Sequence, residues 1–202
     1  MDNLFSAAAA KRPKPLAEQA RPSTLDGIVG QSHILGEGKL LERRIKSGRL
    51  GTVIFYGPPG IGKTTIARAV GKTMKKKFVA LHPATHNVSD IKKVAEEARV
   101  RDTLVFIDEI HRYNSTVQDA LLGFTEEGVF DMMGATSVNP YHNLTPALVS
   151  RATILELKPL TPEETMQVLD RAAWSYKDEG IVVNFEDDAL KMLAGRAGGD
   201  AR

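Results

Sequence analysis

The chain has 202 residues, enough for one full domain or for one domain with part of a second. Its 27 Lys and Arg residues nearly balance its 25 Asp and Glu residues, so any nucleic-acid contact must come from a local patch rather than from overall charge. There is no Cys, which excludes disulfides, thiolate metal sites and a thiol nucleophile. Because no apolar run approaches the ~20 residues that span a bilayer and no secretory signal is readable, the sequence predicts a cytoplasmic protein without a membrane partner.

The N-terminal residues 1–20 read MDNLFSAAAAKRPKPLAEQA. They mix Ala, Pro and basic residues without a strand or a long helical period, which predicts a flexible arm.

Short β-rich runs alternate with helical stretches across residues 21–159. The runs lie at 52–56, 78–81, 103–107, 129–136 and 153–157. Three of them are almost wholly apolar, as expected for strands that are buried on both faces of a parallel sheet. Between the runs, apolar residues repeat at three- and four-residue steps, as in amphipathic helices. The alternation predicts an α/β domain with a parallel sheet and helices on both of its faces.

The pattern changes to helices alone after residue 159. Thr161, Pro162 and Glu164 occupy the cap, first and third positions of a capping box. Helices are predicted near 161–176 and 185–195, with Trp174 and Tyr176 interpreted as residues that pack these helices. Because two helices with an open end make a poor independent core, residues 160–202 are interpreted as the incomplete start of an all-α domain. The chain is accordingly interpreted as an N-terminal fragment.

A glycine-rich loop follows the first predicted strand and precedes a helix that begins near Lys63. It matches the P-loop pattern G-x-x-x-x-G-K-[ST], in which backbone N–H groups surround phosphate oxygens. The residues predicted to bind nucleotide here are Gly57, Pro58, Pro59, Gly60, Ile61, Gly62, Lys63, Thr64 and Thr65. Lys63 is expected to contact the β- and γ-phosphates, and the Thr64 hydroxyl is expected to coordinate Mg²⁺.

Two carboxylates follow the apolar strand in LVFIDE, residues 104–109. Asp108 is expected to hold Mg²⁺, and Glu109 is placed to polarise the attacking water. A protein that used nucleotide only as a structural clip could dispense with Glu109. Its presence therefore predicts hydrolysis of ATP.

Six segments together carry a family resemblance: RPSTLDGIVGQSHIL, GPPGIGKTT, FIDEIHRYN, GATSVNP, ALVSRA and GGDAR. They resemble an AAA+ ATPase of the clamp-loader clade, and most closely the RarA/MgsA family, which includes Werner helicase interacting protein. The HRYN and GATSVNP segments separate that family from clamp-loader subunits and from the RuvB branch-migration motor. The resemblance covers residues 21–202 and implies a P-loop NTPase fold followed by the start of a lid.

The resemblance implies roles for residues that spacing alone does not identify. Arg21, Ile28 and Val29 match the box that packs around adenine, although the same segment could be only a cap and a turn. Thr136 and Ser137 fall where the family carries its sensor-1 hydroxyl, which contacts the γ-phosphate and the attacking water. Ser137 is the favoured sensor, and Thr136 is the alternative.

Three further residues receive roles in the same way. Arg151 matches the arginine finger that is inserted into the neighbouring subunit's site, with a surface Arg before an edge strand as the alternative. Arg202 falls on the sensor-2 position of the lid. His82 stands where clamp-loader relatives place a small polar residue that holds the catalytic Glu back, so it either contacts Glu109 or is an ordinary strand-end histidine.

The resemblance implies an ATP-driven remodelling or recruitment factor acting at stalled replication forks. Its partners would be DNA ends or single-strand/duplex junctions and single-strand-binding protein, and it would be nucleoid-associated. The alternatives are a clamp-loader subunit and a nucleotide-switched adaptor with little turnover. Glu109 and Arg151 count against the adaptor, whereas HRYN and the missing Cys ligands of bacterial clamp loaders count against the clamp-loader subunit.

Three weaker signals concern partners. DNLF in the arm loosely resembles peptides that dock on sliding clamps, which makes Leu4 and Phe5 candidate clamp contacts. Lys75, Lys76 and Lys77 form a basic run that could touch DNA or simply be a solvated helix end. Because family members assemble into homo-oligomers through a C-terminal region, this chain alone is expected to be monomeric.

Overall fold

A computed structural model describes residues 16–176 and 182–201 of the chain. The N-terminal elements are short: α1 at Leu16–Gln19, a 3₁₀ turn at Leu25–Gly27, α2 at Ser32–Leu35 and α3 at Leu40–Lys46. Most of the predicted arm, including Leu4 and Phe5, lies outside the described residues. The end of the predicted arm forms the single turn α1, which lies beside the helix that begins at Pro162.

All five predicted strands form. They are β1 (Thr52–Tyr56), β2 (Lys77–Leu81), β3 (Thr103–Ile107), β4 (Asp131–Thr136) and β5 (Thr153–Glu156). They make one parallel sheet in the order β2-β3-β4-β1-β5. β4 starts two residues later than predicted, because the Val129 N–H donates to Phe124 O at 2.9 Å and so extends the preceding helical turn. The predicted α/β fold is confirmed.

Four of the five helices described between the strands begin at a side-chain cap, and the one that follows the P-loop begins after Gly62 without such a cap. The five helices are α4 (Lys63–Thr73), α5 (Val88–Ala98), α6 (Ser115–Glu126), α7 (Pro140–Asn143) and α8 (Pro146–Arg151), with a 3₁₀ turn at Ile110–Arg112. Asn87 and Asn114 accept N–H bonds at the starts of α5 and α6. Such side-chain caps satisfy donors that the first helical turn leaves unpaired.

The sheet is buried on both faces, as its apolar strands predict. Val105 and Ile107 of β3 pack with α5 and α6 on one face. Leu104 and Phe106, which alternate with them, pack with α4 on the other. Each such fully buried side chain contributes about 1.5–3 kcal/mol through burial of its apolar surface. These two clusters hold the sheet in place from both faces. The candidate site lies at the edge of the sheet where the parallel strands end.

The helical segment that follows residue 159, the predicted lid, begins with the capping box predicted from the sequence. Thr161 Oγ1 accepts the Glu164 N–H at 3.2 Å, and the Thr161 N–H donates to Glu164 Oε2 at 2.9 Å. The helices are α9 (Pro162–Ser175) and α10 (Asp187–Ala197), close to the predicted ranges. The packing prediction for Trp174 is wrong, because its side chain is 67% exposed. No helix in the described part of the chain combines the length and the apolar character that crossing a membrane requires.

Candidate active site

The P-loop connects the end of β1 to the start of α4. Gly57, Gly60 and Gly62 have φ angles of 149°, 83° and 95°, which L side chains rarely adopt. A Cβ on Gly57 would stand 2.5 Å from Leu157 O, and one on Gly60 would stand 2.1 Å from the Asp200 carboxyl group. Backbone conformation therefore favours glycine at all three positions, and at Gly57 the Leu157 carbonyl also leaves no space for a side chain.

Lys63 is buried within the loop that it belongs to. Lys63 is only 7% exposed, and its Nζ donates to Gly57 O and Pro58 O, both at 2.7 Å. These bonds hold the ammonium group at the loop that is built to surround an anion.

A polar cavity of about 260 Å³ joins the P-loop to the end of β3. Its lining residues are Arg21, Pro59, Gly60, Gly62, Lys63, Thr64, Thr65, Asp108, Glu109 and Ala201. The Thr64 hydroxyl and the Asp108 carboxylate are the two candidate metal ligands, and both line this cavity. Hydroxyl and carboxylate oxygens are the donors that Mg²⁺ accepts, so the residues present fit that ion.

Glu109 is held in an unusual conformation immediately after Asp108. Its φ of 53° lies in the left-handed region, which costs a non-glycine residue about 1–3 kcal/mol. Ser137, the residue after β4, donates its Oγ–H to Glu109 Oε2 at 3.0 Å. The favoured sensor residue and the candidate base are thus in direct contact.

Thr136 makes different contacts from Ser137. It is fully buried, its Oγ1–H donates to Val138 O at 3.1 Å, and its Oγ1 lies 2.9 Å from His111 Nδ1. His111 was not predicted as a site residue, yet its Nδ1 lies 3.4 Å from Glu109 Oε2. Its place two residues after Glu109 in the FIDEIHRYN segment is a sequence signal that could have indicated this contact.

In the described part of the chain, His82 forms no hydrogen bond or ion pair with the candidate base Glu109. Its Nδ1 accepts the Ala84 N–H at 3.1 Å, and its backbone N–H donates to His86 Nδ1 at 3.2 Å. Among the described residues, the histidine beside Glu109 is His111. The gating interpretation of His82 is therefore replaced by the strand-end alternative, because the turn after β2 uses the His82 ring to close itself.

Tyr113 of the HRYN segment anchors the same region. Its ring is buried, and its hydroxyl donates to His86 O at 3.0 Å. Burial raises the pKa of the Tyr113 hydroxyl, with the nearby Asp90 charge adding to the effect, so the phenol stays protonated as a donor. This bond ties the turn after β2 to the turn that carries His111.

An apolar cavity of about 220 Å³ adjoins the polar one. Ile28 and Val29 line it from the predicted adenine box, Ile61 from the P-loop, and Val168 and Leu169 from α9. The two cavities share the lining residues Arg21, Gly62, Thr65 and Ala201. An apolar chamber that continues into a polar, cation-containing chamber suits a ligand with a flat base at one end and charge at the other.

Arg21 lies where the two cavities meet. Its Nη2 pairs with Glu18 Oε2 at 2.9 Å. Its Nε is a buried donor that has no hydrogen-bond partner within residues 16–176 and 182–201. Since buried donors are nearly always satisfied in folded proteins, this unpaired N–H fits a site that a ligand completes.

The predicted adenine box is bonded both to the segment that follows β5 and to the predicted lid, residues 160–202. The Gln31 side chain donates to Lys158 O at 2.6 Å and accepts the Lys158 N–H at 3.0 Å, and Arg171 donates to Gly27 O. At the far end of the lid, the Ala201 N–H donates to Gly60 O at 3.0 Å. Arg202, the sensor-2 prediction, lies outside the described residues.

Arg151 lies away from its own site. It is the last residue of α8, lines neither of the two cavities, and forms an ion pair with Glu126. Its side chain is 52% exposed. The guanidinium is therefore placed outside the pocket of the chain that carries it.

The basic run after α4 belongs to the scaffold. Lys76 Nζ lies 2.8 Å from Asp131 Oδ2, and both side chains are only 13% exposed. Lys77 pairs with Glu97. These two ion pairs account for two of the three basic residues without any DNA contact.

These residues form a P-loop nucleotide-binding domain. It is defined by its strand order, its P-loop, its paired carboxylates and its two adjoining cavities. The family model for the P-loop domain of the Holliday junction DNA helicase RuvB matches residues 20–153, and the chain belongs to this family. Among solved structures, the chain is similar to the Thermotoga maritima RuvB Holliday junction branch migration motor. The TM-score is 0.74 at 30% identity, covering 91% of this chain and 62% of that one.

Curated relatives confirm the resemblance to the RarA/MgsA family. The chain is 41% identical over 192 residues to replication-associated recombination protein A of Bacillus subtilis, and 38% identical over 198 residues to that of Escherichia coli. It is 38% identical to ATPase WRNIP1 of Dictyostelium discoideum over 196 residues. The matches cover 93–94% of this chain but only 46%, 44% and 22% of those proteins, so the chain spans less than half of each relative.

Proposed function

We propose that this chain binds ATP with Mg²⁺ and is the ATP-hydrolysing part of a replication-associated recombination or repair factor. The observation that carries the proposal is the 3.0 Å bond from Ser137 Oγ to Glu109 Oε2. In this bond the Ser137 hydroxyl holds the Glu109 carboxylate, and Glu109 lines the same cavity as Lys63, Thr64 and Asp108.

The two cavities support a binding mode for ATP. Adenine would lie in the apolar chamber against Ile28, Val29 and Ile61, and the triphosphate would lie in the polar chamber against the P-loop N–H groups. Arg21, with its unpaired Nε, would contact the nucleotide between them. Mg²⁺ held by Thr64 and Asp108 would neutralise charge on the phosphate oxygens.

The residues of the polar cavity support hydrolysis in a single displacement. Glu109 accepts a proton from a water molecule, whose oxygen bonds to the γ-phosphorus while the bond to the β–γ bridging oxygen breaks, giving ADP and phosphate. Lys63 supplies positive charge beside the transferred group, and Ser137 keeps the carboxylate in place. Arg151 would act in the neighbouring subunit, which its position outside its own cavity supports.

The role in the full-length protein follows from the relatives' names. Replication-associated recombination protein A is the most frequent name among the relatives described above. We propose that the complete homo-oligomer acts on DNA ends or single-strand/duplex junctions at stalled forks in the cytoplasm, at the nucleoid. Single-strand-binding protein and, through the arm, a sliding clamp are the proposed protein partners. Residues 21–159 would form the ATPase domain and residues 160–202 the start of its lid.

The test measures ATP turnover by the full-length protein alone, with single-stranded DNA, with duplex DNA and with forked DNA. We expect turnover without DNA and an increase with forked or single-stranded DNA. Tight ATP binding without turnover under any condition would instead indicate a nucleotide-switched adaptor. Stimulation only when a sliding clamp is added would indicate a clamp loader.

A further inference from the structure

A chain of three polar side chains connects the buried end of β4 to the candidate base. Thr136 Oγ1 lies 2.9 Å from His111 Nδ1, and the same nitrogen lies 3.4 Å from Glu109 Oε2. The two ends differ in their surroundings: Thr136 is fully buried, whereas the Glu109 side chain is 21% exposed. His111 therefore stands between a fixed hydroxyl and the carboxylate.

The hydrogen atoms shared by these three side chains can be placed by counting the donors and acceptors. The Thr136 hydroxyl has one hydrogen, which is directed to Val138 O at 3.1 Å, and its oxygen already accepts the Val138 N–H at 3.2 Å. If that hydrogen instead pointed at His111, the Nδ1 lone pair would face the Glu109 carboxylate, and two electron-rich atoms would oppose each other. The arrangement without a clash has the hydrogen on His111 Nδ1.

We propose that His111, as the Nδ1–H tautomer, is a positioning residue for Glu109. Its Nδ1–H donates to Thr136 Oγ1 and is shared with Glu109 Oε2, the oxygen that also accepts the Ser137 hydroxyl. Both described contacts thus fall on Oε2, and Oε1 is the oxygen that would accept the proton from water. This role rests on the proposed ATPase function.

Glu109 needs such support for two physical reasons. Its backbone is in the left-handed region, at φ 53°, where the surrounding contacts must compensate for strain. The last torsion of a Glu side chain is also broad, so without fixed donors the carboxylate would rotate freely. The Ser137 hydroxyl bond and the proposed His111 Nδ1–H contact, both at Oε2, restrict that rotation. Misplacement of a reacting group by about 1 Å can cost roughly a hundredfold in rate.

The tautomer can be measured without nucleotide and without turnover. Nitrogen-15 NMR of histidine-labelled chain, at a pH where imidazoles are neutral, separates Nδ1–H from Nε2–H rings. The chain has five His residues, and the His111 signals are those that vanish in His111→Asn. We expect the Nδ1–H form in the wild type and a shift towards Nε2–H in Thr136→Val, which lacks the accepting oxygen. An Nε2–H ring in the wild type would overturn the proposal.

The role is tested by substitutions that keep or remove the donor. Asn places an amide N–H close to the position of Nδ1, whereas Leu has no donor at all. In the full-length protein we expect His111→Leu to lower kcat by roughly tenfold to a hundredfold, with the Kd for ATP unchanged. His111→Asn should restore most of that loss. The exposed His142→Leu is the matched control and should behave as the wild type.

Each other outcome counts against the proposal or against its premise. Unchanged kcat in His111→Leu, a loss of ATP binding in that variant, or an Asn variant as slow as the Leu variant would each overturn the positioning role. A wild-type protein that binds but never hydrolyses ATP would instead contradict the proposed function. In that case the NMR measurement still decides whether the Nδ1–H contact exists.

Discussion

Ser137 Oγ donates a hydrogen bond to Glu109 Oε2 at 3.0 Å, joining the end of β4 to the residue that follows Asp108. Because the hydroxyl fixes a carboxylate rather than the scaffold, we expect Ser137→Ala to lower kcat by roughly tenfold to a hundredfold with little change in ATP affinity. Ser137→Thr keeps the hydroxyl and should retain most turnover. Steady-state turnover by the full-length protein checks this, with the exposed Ser47→Ala as control. Wild-type kcat in Ser137→Ala would show that the contact has no part in turnover.

Lys63 is the only cation in the P-loop segment, and its buried Nζ is already bonded to loop carbonyls. Lys63→Ala should abolish measurable ATP binding, because each charged hydrogen bond to phosphate contributes about 1.5–3 kcal/mol. Titration calorimetry with ATP on this chain measures the effect. Lys72→Ala is the matched control, since Lys72 is exposed on the same helix and donates to Ser23. Similar Kd values for the two variants would contradict the role given to Lys63.

Tyr113→Phe removes the hydroxyl that donates to His86 O and leaves the rest of the buried ring in place. We expect a loss of about 1 kcal/mol in the free energy of unfolding, the usual contribution of such a bond. Urea unfolding of the chain measures it. Tyr141→Phe, at a residue 66% exposed, should change the free energy by much less. Equal effects from the two substitutions would mean that the bond to His86 is not stabilising.

Arg151 pairs with Glu126 and lines neither cavity of its own chain, so its proposed site of action is the neighbouring subunit. In the full-length protein, Arg151→Ala should leave ATP affinity nearly intact and lower kcat on the order of 10³-fold, as for arginine fingers in related enzymes. The chain alone, expected to be monomeric at micromolar concentration, should be a weak ATPase. A stable oligomer in light scattering would contradict that expectation.

Mixing two inactive full-length variants separates action within a subunit from action between subunits. Lys63→Ala keeps a finger but has no working loop, and Arg151→Ala keeps the loop but has no finger. Mixed assemblies would bring an intact finger to an intact loop, so some turnover should return. If the subunits exchange and no mixing ratio restores turnover, Arg151 acts in its own subunit or only in the fold.

The P-loop, the strands and the lid cap could be predicted because each depends on residues close together in sequence. Gly57, Lys63 and the Thr161–Glu164 capping box are examples of such local signals. The contacts of His111 could not be predicted, because they depend on the β3–β4 pairing that brings residues 109–111 beside residues 136–138. The ion pair of Arg151 with Glu126 likewise joins two helices, and the exposure of Trp174 depends on tertiary packing that periodicity does not encode.

Glu109→Gln in the full-length protein tests whether Glu109 is the base for ATP hydrolysis. The amide keeps the shape of the side chain but cannot accept a proton, so ATP should bind as tightly as to the wild type while turnover is lost. ATP affinity and the rate of phosphate release, measured on the same preparation with and without forked DNA, give both quantities. Wild-type phosphate release by Glu109→Gln would show that Glu109 is not the base.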